Sequence, residues 1–369
     1  MLGITIRHKA SQFGTLVRHS ATTPRTGITR RPVLARRGDL GVTFIGHSSF
    51  FLQMGGKNIL IDPNFARWIF VLKRLRRPGL RLRDLPPIDA VLVSHAHFDH
   101  LHRPSLRAIA GLSRRKSGKR PTIIVPRHVR DLVIDLGYGR VVELDWWQNF
   151  QLGNVEITHV PSRHWGARIV RDVHRGYGGF VLRAGKHSLY HAGDTAYFDG
   201  FREIGRLLKP EVALLPIGAY HPDSFRRVHT SPEDAVQAFV DLGARWMVPM
   251  HYGTFRLSCE PLHEPVERLK ADAQRRGIEK KICVLEEGVT KFLELLSASE
   301  VPVSSFDVVI PRRSCEKDCS CVAGDVLADR LCCGCRHFPG RQGGEMGERH
   351  LSTGRSQDQS LDRVPGTER

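Results

Sequence analysis

The sequence of 369 residues predicts a mixed α/β (α+β) fold, in which helices cover mixed β-sheets. Short apolar runs bounded by glycine, proline and polar residues recur through the middle of the chain, as buried strands do. The first three runs follow one another through short turns, which is typical of antiparallel strands. Later runs alternate with helical patterns, and this order favours mixed sheets with helices packed on them.

The individual elements follow from the same patterns. Strands are predicted over 41–45, 50–54, 58–62, 90–93, 122–125, 155–160, 179–183, 188–192, 212–216 and 246–250. A helix is predicted over 127–136. Another helix is predicted to begin at Pro232, because Ser231 is a suitable N-cap, proline suits the first helical position and Asp234 falls in the first turn.

The two ends of the chain differ in composition from its middle. Residues 1–38 contain eight basic residues and no acid, which predicts a basic disordered leader, although an organellar transit peptide has the same composition. From residue 297 the apolar pattern ends and Gly, Ser, Arg and Gln dominate, which predicts a disordered tail over 297–369. A folded domain is therefore expected over 39–296. Most of the net charge of +18 belongs to that domain.

Cysteines and hydropathy exclude several classes of protein. Six of the eight cysteines lie in the predicted tail, and only Cys332 and Cys335 have the C-x-x-C spacing found in zinc modules. A disulfide framework is therefore not expected in the domain. No apolar run is long enough to span a bilayer, and the N-terminus lacks the apolar stretch of a secretory signal. We therefore expect a cytoplasmic protein.

One segment carries most of the functional interpretation. His95, His97, Asp99 and His100 lie within six positions, directly after the predicted strand 90–93. Side chains alternate along an extended backbone, so the imidazoles at 95 and 97 point the same way while the other two residues fall in the next turn. The segment can thus supply ligands to two neighbouring ions. Nitrogen and carboxylate ligands without thiolate favour zinc, with iron or manganese as alternatives.

Further candidate ligands follow other predicted strands. His164 comes after strand 155–160, Asp194 after 188–192, and His251 directly after 246–250. Each stands near a small or turn-forming residue at a strand end, where a rigid sheet presents side chains to a common cleft. Together with the segment 95–100 they provide seven candidate metal ligands. His47 and His102 are expected to be structural residues near the site.

With these residues in place, the chain resembles the metallo-β-lactamase superfamily from about Gly41 to about Leu295. The H-x-H-x-D-H signature is the most specific part of the resemblance. Segments 46–49, 61–63, 84–90, 161–165, 192–197, 215–220 and 251–255 resemble the branch that contains N-acylphosphatidylethanolamine-hydrolysing phospholipase D. The resemblance implies an αββα four-layer sandwich, with two mixed β-sheets flanked by helices and a dinuclear zinc site along one edge.

The resemblance also implies roles for single residues. It assigns one zinc ion to His95, His97 and His164 and the other to Asp99, His100 and His251, with Asp194 bridging the two. His229, which precedes the Ser-Pro-Glu-Asp start of a helix, would lie near the metals as a general acid or as a contact to the scissile group. Asp99 and His229 are therefore the candidate catalytic residues. Asp62 is implied to be structural.

The implied activity is hydrolysis of the phosphodiester of an N-acylphosphatidylethanolamine-like phospholipid. Two neighbouring divalent ions lower the pKa of a shared water, so a metal-bridging hydroxide would be the nucleophile. A soluble lactonase or small phosphoester hydrolase would use the same site and is the first alternative. A nucleic-acid-binding protein or nuclease ranks lower, because regularly spaced aromatic stacking residues do not accompany the basic charge. No stable nucleic-acid partner is therefore expected.

Two expectations concern partners other than the substrate. Segment 67–77 interleaves aromatic and aliphatic residues with cations, which suits a membrane interface, so peripheral membrane contact is expected. The alternative for this segment is a packed loop with a solvated basic face. Related enzymes often form dimers, so the resemblance implies a homodimer.

Overall fold

The computed structural model describes residues 14, 17, 18, 20–36, 38–169 and 171–293. In chain order the strands are β1 (Leu40–Gly46), β2 (Ser49–Met54), β3 (Lys57–Ile61), β4 (Trp68–Ile69), β5 (Leu72–Lys73), β6 (Ala90–Leu92), β7 (Thr122–Pro126), β8 (Arg140–Leu144), β9 (Asn149–Leu152), β10 (Val155–Val160), β11 (Gly179–Ala184), β12 (His187–His191), β13 (Val212–Pro216), β14 (Trp246–Met250) and β15 (Thr290–Leu293). The helices are α1 (Arg103–Ser117), α2 (Gly200–Leu208), α3 (Pro232–Leu242) and α4 (Glu264–Arg275). None of the helices in this part of the chain is long and apolar enough to cross a membrane.

The strands form two mixed sheets and a separate hairpin. The larger sheet has the order β15-β1-β2-β3-β6-β7-β8, with antiparallel pairs up to β3 and parallel pairs from β3 onward. The second sheet has the order β14-β13-β12-β11-β10-β9, in which β12, β13 and β14 pair in parallel and the rest pair antiparallel. Strands β4 and β5 pair only with each other. The predicted mixed sheets are confirmed.

Side chains of the larger sheet alternate between two apolar cores. Phe50 and Leu52 of β2 join the core shared with the second sheet, whereas Phe51 enters the core beneath α1. In β6, Leu92 likewise joins the core shared with the second sheet, and Val91 enters the core beneath α1. Because successive residues of a strand face opposite sides, an unbroken apolar run requires a sheet that is buried on both faces. Helix α3 packs on α2, on α4 and on β13, and α1 covers the outer face of the larger sheet, which gives the helix, sheet, sheet, helix layers of an αββα sandwich.

Helix α3 begins where the sequence predicts it. Ser231 Oγ accepts a hydrogen bond from the Asp234 N–H at 3.2 Å, and the Asp234 carboxylate accepts one from the Ser231 N–H at 3.3 Å. This capping box satisfies two backbone donors at the start of the helix, and Pro232 needs no partner there. Just before the cap, Thr230 Oγ1 donates to the Pro216 carbonyl at 2.8 Å. The helix start is thus tied to the end of β13.

The helix predicted over 127–136 is wrong. Only Arg130–Leu132 form a short 3-10 turn there. The buried residues Val129, Val133 and Leu136 keep the helical spacing on which the prediction depended, but consecutive turns satisfy that spacing as well. His128 has a φ of +62°, which prevents a helix from starting earlier, and the β-branched valines lower the helix propensity.

The disordered leader predicted over 1–38 is corrected for residues 20–36, which lie against the domain. The Gln53 side chain donates from Nε2 to the Val33 carbonyl at 2.8 Å and accepts from the Ala35 N–H at 2.8 Å. Earlier in the segment, the Thr26 N–H donates to the Leu75 carbonyl at 2.9 Å. These bonds join residues that are far apart in sequence, so local composition does not reveal them. Residues 1–13 and the tail predicted over 297–369, with its six cysteines, lie outside the described residues.

Candidate metal centre

The candidate ligands lie where strands of both sheets end. Strand β6 leads into His95, β10 into His164, β12 into Asp194, and β14 directly into His251. Strands β10, β12 and β14 run in one direction within their sheet, so the residues that follow them reach the same edge. Strand β6 brings the segment 95–100 of the larger sheet to this edge. Polar side chains from both sheets therefore meet in one cleft.

His95, His97 and His164 bring three imidazole rings together. Nδ1 of His97 lies 2.8 Å from Nε2 of His95 and 3.2 Å from Nε2 of His164. The remaining nitrogens of two rings have other partners. Nδ1 of His95 lies 2.9 Å from the Ser94 hydroxyl, and Nδ1 of His164 donates to the Val228 carbonyl at 2.8 Å. Such bonds fix the orientation of a ring and leave its other nitrogen available to an ion.

Asp99, His100 and His251 form a second group. Oδ2 of Asp99 lies 3.6 Å from Nε2 of His100 and 3.7 Å from Nε2 of His251. Nδ1 of His100 donates to the buried Asp62 carboxylate at 2.7 Å, and Nε2 of His47 donates to Asp99 at 2.9 Å. His47 and Asp62 therefore orient members of this group.

Asp194 lies between the two groups. Its Oδ2 is 3.0 Å from Nε2 of His251, 3.3 Å from Nε2 of His100, 3.8 Å from Nε2 of His95 and 4.0 Å from Nε2 of His164. A single carboxylate oxygen thus faces nitrogens of both groups.

His229 lies at one side of the same cleft. Its Nδ1 is 3.9 Å from Oδ2 of Asp194, and its ring stacks on that of His251 with 5.3 Å between the centroids. The side chains of Asp99 and His229 are 14% and 13% exposed, whereas those of Asp194 and His100 are 2% and 0% exposed. The centre is therefore accessible to solvent beside Asp99 and His229.

Burial and charge set the protonation of these groups. Burial lowers the pKa of His95 and His164 well below the usual value, which keeps both imidazoles in the neutral, metal-binding form. Burial alone would raise the pKa of Asp194, but His100 and His251 outweigh it and hold that pKa well below the usual range. Burial would lower the pKa of His251, but the negative charge of Asp194 raises it to about 9. The two carboxylates thus favour positive charge in the centre.

The donor atoms fit divalent metal ions. The ligand atoms of His95, His97, His164 and Asp194 lie within 4.8 Å of one another, as do those of His47, Asp99, His100 and His251. Nε2 of His100 and Oδ1 of Asp194 are buried, and neither has a hydrogen-bond partner among the described residues. Imidazole and carboxylate donors without thiolate suit zinc, iron or manganese. The structure therefore brings all seven candidate ligands into two adjacent candidate metal-binding groups.

Comparison with known proteins identifies the family. A family model described as the β-lactamase superfamily domain matches residues 57–252, the part of the chain that contains all seven candidate ligands. The chain belongs to the metallo-β-lactamase superfamily. The resemblance that the H-x-H-x-D-H segment indicated is thereby confirmed.

Relatives of this superfamily member include proteins of bacteria and of yeast. An uncharacterised protein of Mycobacterium tuberculosis is 35% identical over 273 residues, which cover 70% of this chain and 72% of that protein. A UPF0173 metal-dependent hydrolase of Rubrobacter xylanophilus is 34% identical over 257 residues, 68% of this chain and 96% of that protein. The mitochondrial N-acyl-phosphatidylethanolamine-hydrolyzing phospholipase D of Saccharomyces cerevisiae is 33% identical over 263 residues. That match covers 68% of this chain but only 55% of the yeast enzyme, about half of its length.

A solved structure shows the same fold. Igni18, a metallo hydrolase from the archaeon Ignicoccus hospitalis, matches with a TM-score of 0.53 and 24% identity, over 70% of this chain and 100% of that one. The αββα fold implied by the sequence is thus confirmed. The superfamily assignment and the relatives show that this superfamily member is a metal-dependent hydrolase.

The sequence interpretation missed residues that brace the centre. Asn64 donates from Nδ2 to the Asp99 carbonyl at 2.9 Å, and the Ser94 hydroxyl donates to the Asp62 carboxylate at 2.6 Å. Asparagine and serine are common in any turn, so their identity gave no signal. Their positions just beyond β3 and β6, the strands that lead to the centre, were the only available indication. His102, expected to be structural, caps α1 by accepting from the Ser105 N–H.

Proposed function

We propose that this hydrolase is a zinc-dependent phosphodiesterase of the phospholipase D type that acts on N-acylphosphatidylethanolamine-like phospholipids. The observation that carries the proposal is the contact between the candidate metal centre and an exposed apolar hairpin. Phe98 stands between His97 and Asp99 in the sequence, and its ring contacts that of Phe70 in the β4–β5 hairpin, with 4.3 Å between centroids. Phe70 is 72% exposed. An apolar surface beside the centre suits a substrate with acyl chains, and the similarity to the yeast phospholipase D supports the same class.

In this proposal each of the two groups of candidate ligands binds one metal ion. His95, His97 and His164 would hold one zinc ion, and Asp99, His100 and His251 the other, with Asp194 shared. When bound, the ions would polarise the phosphodiester and lower the pKa of a water toward neutrality.

Asp99 and His229 are the proposed catalytic residues, because both are partly exposed to the cleft. Burial alone would raise the pKa of Asp99, but His100, His251 and His47 hold it well below the usual range, so the carboxylate is ionised and can accept a proton from the attacking water. Water adds to phosphorus, and the bond from phosphorus to the oxygen of the N-acylethanolamine breaks. Burial lowers the pKa of His229 to about 4, so its ring is neutral before the reaction; it would take up the proton that Asp99 accepts and pass it to that leaving oxygen.

The experiment that tests the proposal combines metal content with substrate choice. Plasma mass spectrometry on the purified full chain is expected to find about two zinc ions per chain, as in two-metal hydrolases. The same sample should convert N-acylphosphatidylethanolamine to N-acylethanolamine and phosphatidic acid. Turnover of bis(p-nitrophenyl) phosphate or of a lactone without turnover of the lipid would instead support the soluble lactonase or small phosphoester hydrolase. A protein without metal or activity would refute the proposal.

The hairpin is also proposed to contact a membrane surface peripherally. Phe70 and Val71 at its tip are 72% and 46% exposed, and Trp68 is 41% exposed. Arg67 and Lys73 flank this tip in sequence. Exposed apolar and aromatic side chains next to cations suit the interface of a membrane that carries anionic lipid.

Replacing the residue at the hairpin tip tests this contact. Phe70→Ser is expected to lower partitioning of the chain onto vesicles of phosphatidylcholine and phosphatidylglycerol about tenfold or more, because burial of a phenyl ring contributes about 1.5–3 kcal/mol. Vesicle sedimentation measures the change. Val240→Ser, which alters a 48% exposed residue on α3, is the matched control and should bind like the parent protein. Unchanged binding of Phe70→Ser would exclude the hairpin as the contact.

A further inference from the structure

A cavity separate from the cleft of the metal centre lies between the β4–β5 hairpin and the start of α1. Its volume is about 390 Å³. Its lining includes Phe70 and Phe98 and the three arginines Arg103, Arg107 and Arg168. None of the seven candidate metal ligands lines it, and the proposed reaction uses its two phenylalanines but none of its arginines.

The cavity has more positive than negative charge around it. Arg103 and Arg107 both donate to the carboxylate of Asp135, at 2.6 and 2.8 Å, so that two guanidinium groups share one exposed acid. Nε and Nη1 of Arg107 have no hydrogen bond to any other described residue, and its side chain is 55% exposed. Two nitrogens of this residue, with three N–H groups, therefore remain available to a ligand.

Arg168 adds a third cation that has no acidic partner. Its Nη1 donates to the carbonyls of Ala96 and Leu101 at 2.7 and 2.9 Å, and its guanidinium carbon lies 3.8 Å from the centroid of the Phe98 ring. No carboxylate in the described part of the chain lies within 4.0 Å of its nitrogens. Burial, followed by the charge of Arg103, lowers the pKa of Arg168 to about 10. An anion in the cavity would relieve this repulsion.

The start of α1 adds a further attraction for an anion. The helix has 15 residues and no acidic residue in its first turn, and Arg103 and Pro104 are its first two positions. The N-terminus of a helix carries partial positive charge, and this dipole acts here in addition to the three guanidinium groups, although His102 already accepts the Ser105 N–H.

We propose that this cavity binds the phosphate group of an anionic phospholipid at the membrane surface, apart from the phosphodiester that is hydrolysed. Guanidinium groups recognise phosphate through paired hydrogen bonds. Free phosphate has the same chemistry, but the exposed Phe70 at the rim favours a phosphate that carries acyl chains. The inference rests on the proposed membrane contact of the hairpin and is independent of the reaction at the metal centre.

Binding to vesicles tests the site without any turnover. Full-length chain is sedimented with phosphatidylcholine vesicles that contain or lack phosphatidylglycerol. Arg107→Gln is expected to reduce the part of the binding that depends on phosphatidylglycerol about fivefold. Arg114→Gln removes the same charge from an exposed position in the last turn of α1 and should leave binding unchanged. Equal losses in the two variants would show general surface attraction and overturn the proposal.

Inorganic phosphate distinguishes the two sources of the anion. A lipid site predicts that phosphate neither displaces the chain from the vesicles nor raises its Tm. Displacement and a Tm increase that both disappear in Arg107→Gln would keep the phosphate site but assign it to the free anion, overturning the lipid assignment. A Tm increase that persists in Arg107→Gln would place phosphate elsewhere and count against this cavity. Because no assay here measures hydrolysis, failure of the phospholipase proposal would leave these results interpretable.

Discussion

Replacing Asp194 with alanine is expected to remove metal from the centre and to reduce hydrolysis to the level of metal-free protein. Oδ2 of Asp194 lies within 4.0 Å of nitrogens from both ligand groups, so one substitution deletes an oxygen donor from each. It also deletes the charge that raises the pKa of His251 and favours cations in the cleft. Two effects therefore act together against metal binding. Plasma mass spectrometry and hydrolysis of bis(p-nitrophenyl) phosphate measure the outcome.

The control for this substitution must remove a carboxylate without touching the centre. Asp199→Ala does so, since Asp199 is exposed and its side chain makes no cap hydrogen bond at the start of α2. It should retain metal and activity. Circular dichroism and thermal unfolding of both variants would show whether the fold is kept. A folded Asp194→Ala protein with its full metal content would contradict the shared position of this carboxylate.

The buried strands were predictable because their signal is local. The predicted ranges 155–160, 212–216 and 246–250 have the bounds of β10, β13 and β14. The ranges 212–216 and 246–250 are apolar runs, and burial on both faces leaves no polar alternation to obscure them. The range 155–160 instead alternates Val155 and Ile157 with polar neighbours, which is equally local. The start of α3 was predictable for the same reason, since the capping box of Ser231 and Asp234 is a signal within four residues.

The errors concern segments whose structure depends on distant partners. Residues 20–36 lack an apolar pattern of their own and are held by Gln53 and by the backbone beyond the β4–β5 hairpin. Residues 127–136 do have the apolar spacing of a helix. However, the Glu143 carboxylate on β8 accepts hydrogen bonds from the N–H groups of Val129 and Arg130 and so stabilises a turn. No local propensity includes these contacts.

The same distinction applies to the metal centre. The candidate ligands could be found from their positions after predicted strands, because the direction of a strand determines which edge of the sheet its last residues reach. The sequence could not show how each ring is oriented. The bond from His164 to the Val228 carbonyl joins residues 64 apart and uses a backbone atom, which residue identity does not encode. The three arginines of the cavity lie on α1 and on a loop far along the chain, so their clustering required the folded structure.

Replacing His229 with alanine is expected to lower turnover of N-acylphosphatidylethanolamine by about 10²–10⁴ while metal content stays unchanged. The residue lies outside both groups of proposed ligands, and its Nδ1 is 3.9 Å from Asp194 in the partly exposed side of the cleft. However, its donor atoms also lie within 4.8 Å of those of Asp194 and His251, so a ligand role is the competing interpretation. Loss of zinc from His229→Ala, measured by plasma mass spectrometry, would establish that role and contradict the catalytic one.

Two substrates with different leaving groups distinguish proton donation by His229 from a simple contact with the substrate. An alkoxide is a poor leaving group and needs a proton, whereas p-nitrophenolate leaves without one. If His229 is the acid, its loss should slow the lipid far more than bis(p-nitrophenyl) phosphate, and His229→Gln, which keeps a hydrogen-bond donor but transfers no proton, should not restore the rate. If His229 only contacts the phosphate, both substrates should slow alike and glutamine should recover activity. His263→Ala, at a histidine with a 72% exposed side chain, is the matched control and should affect neither substrate.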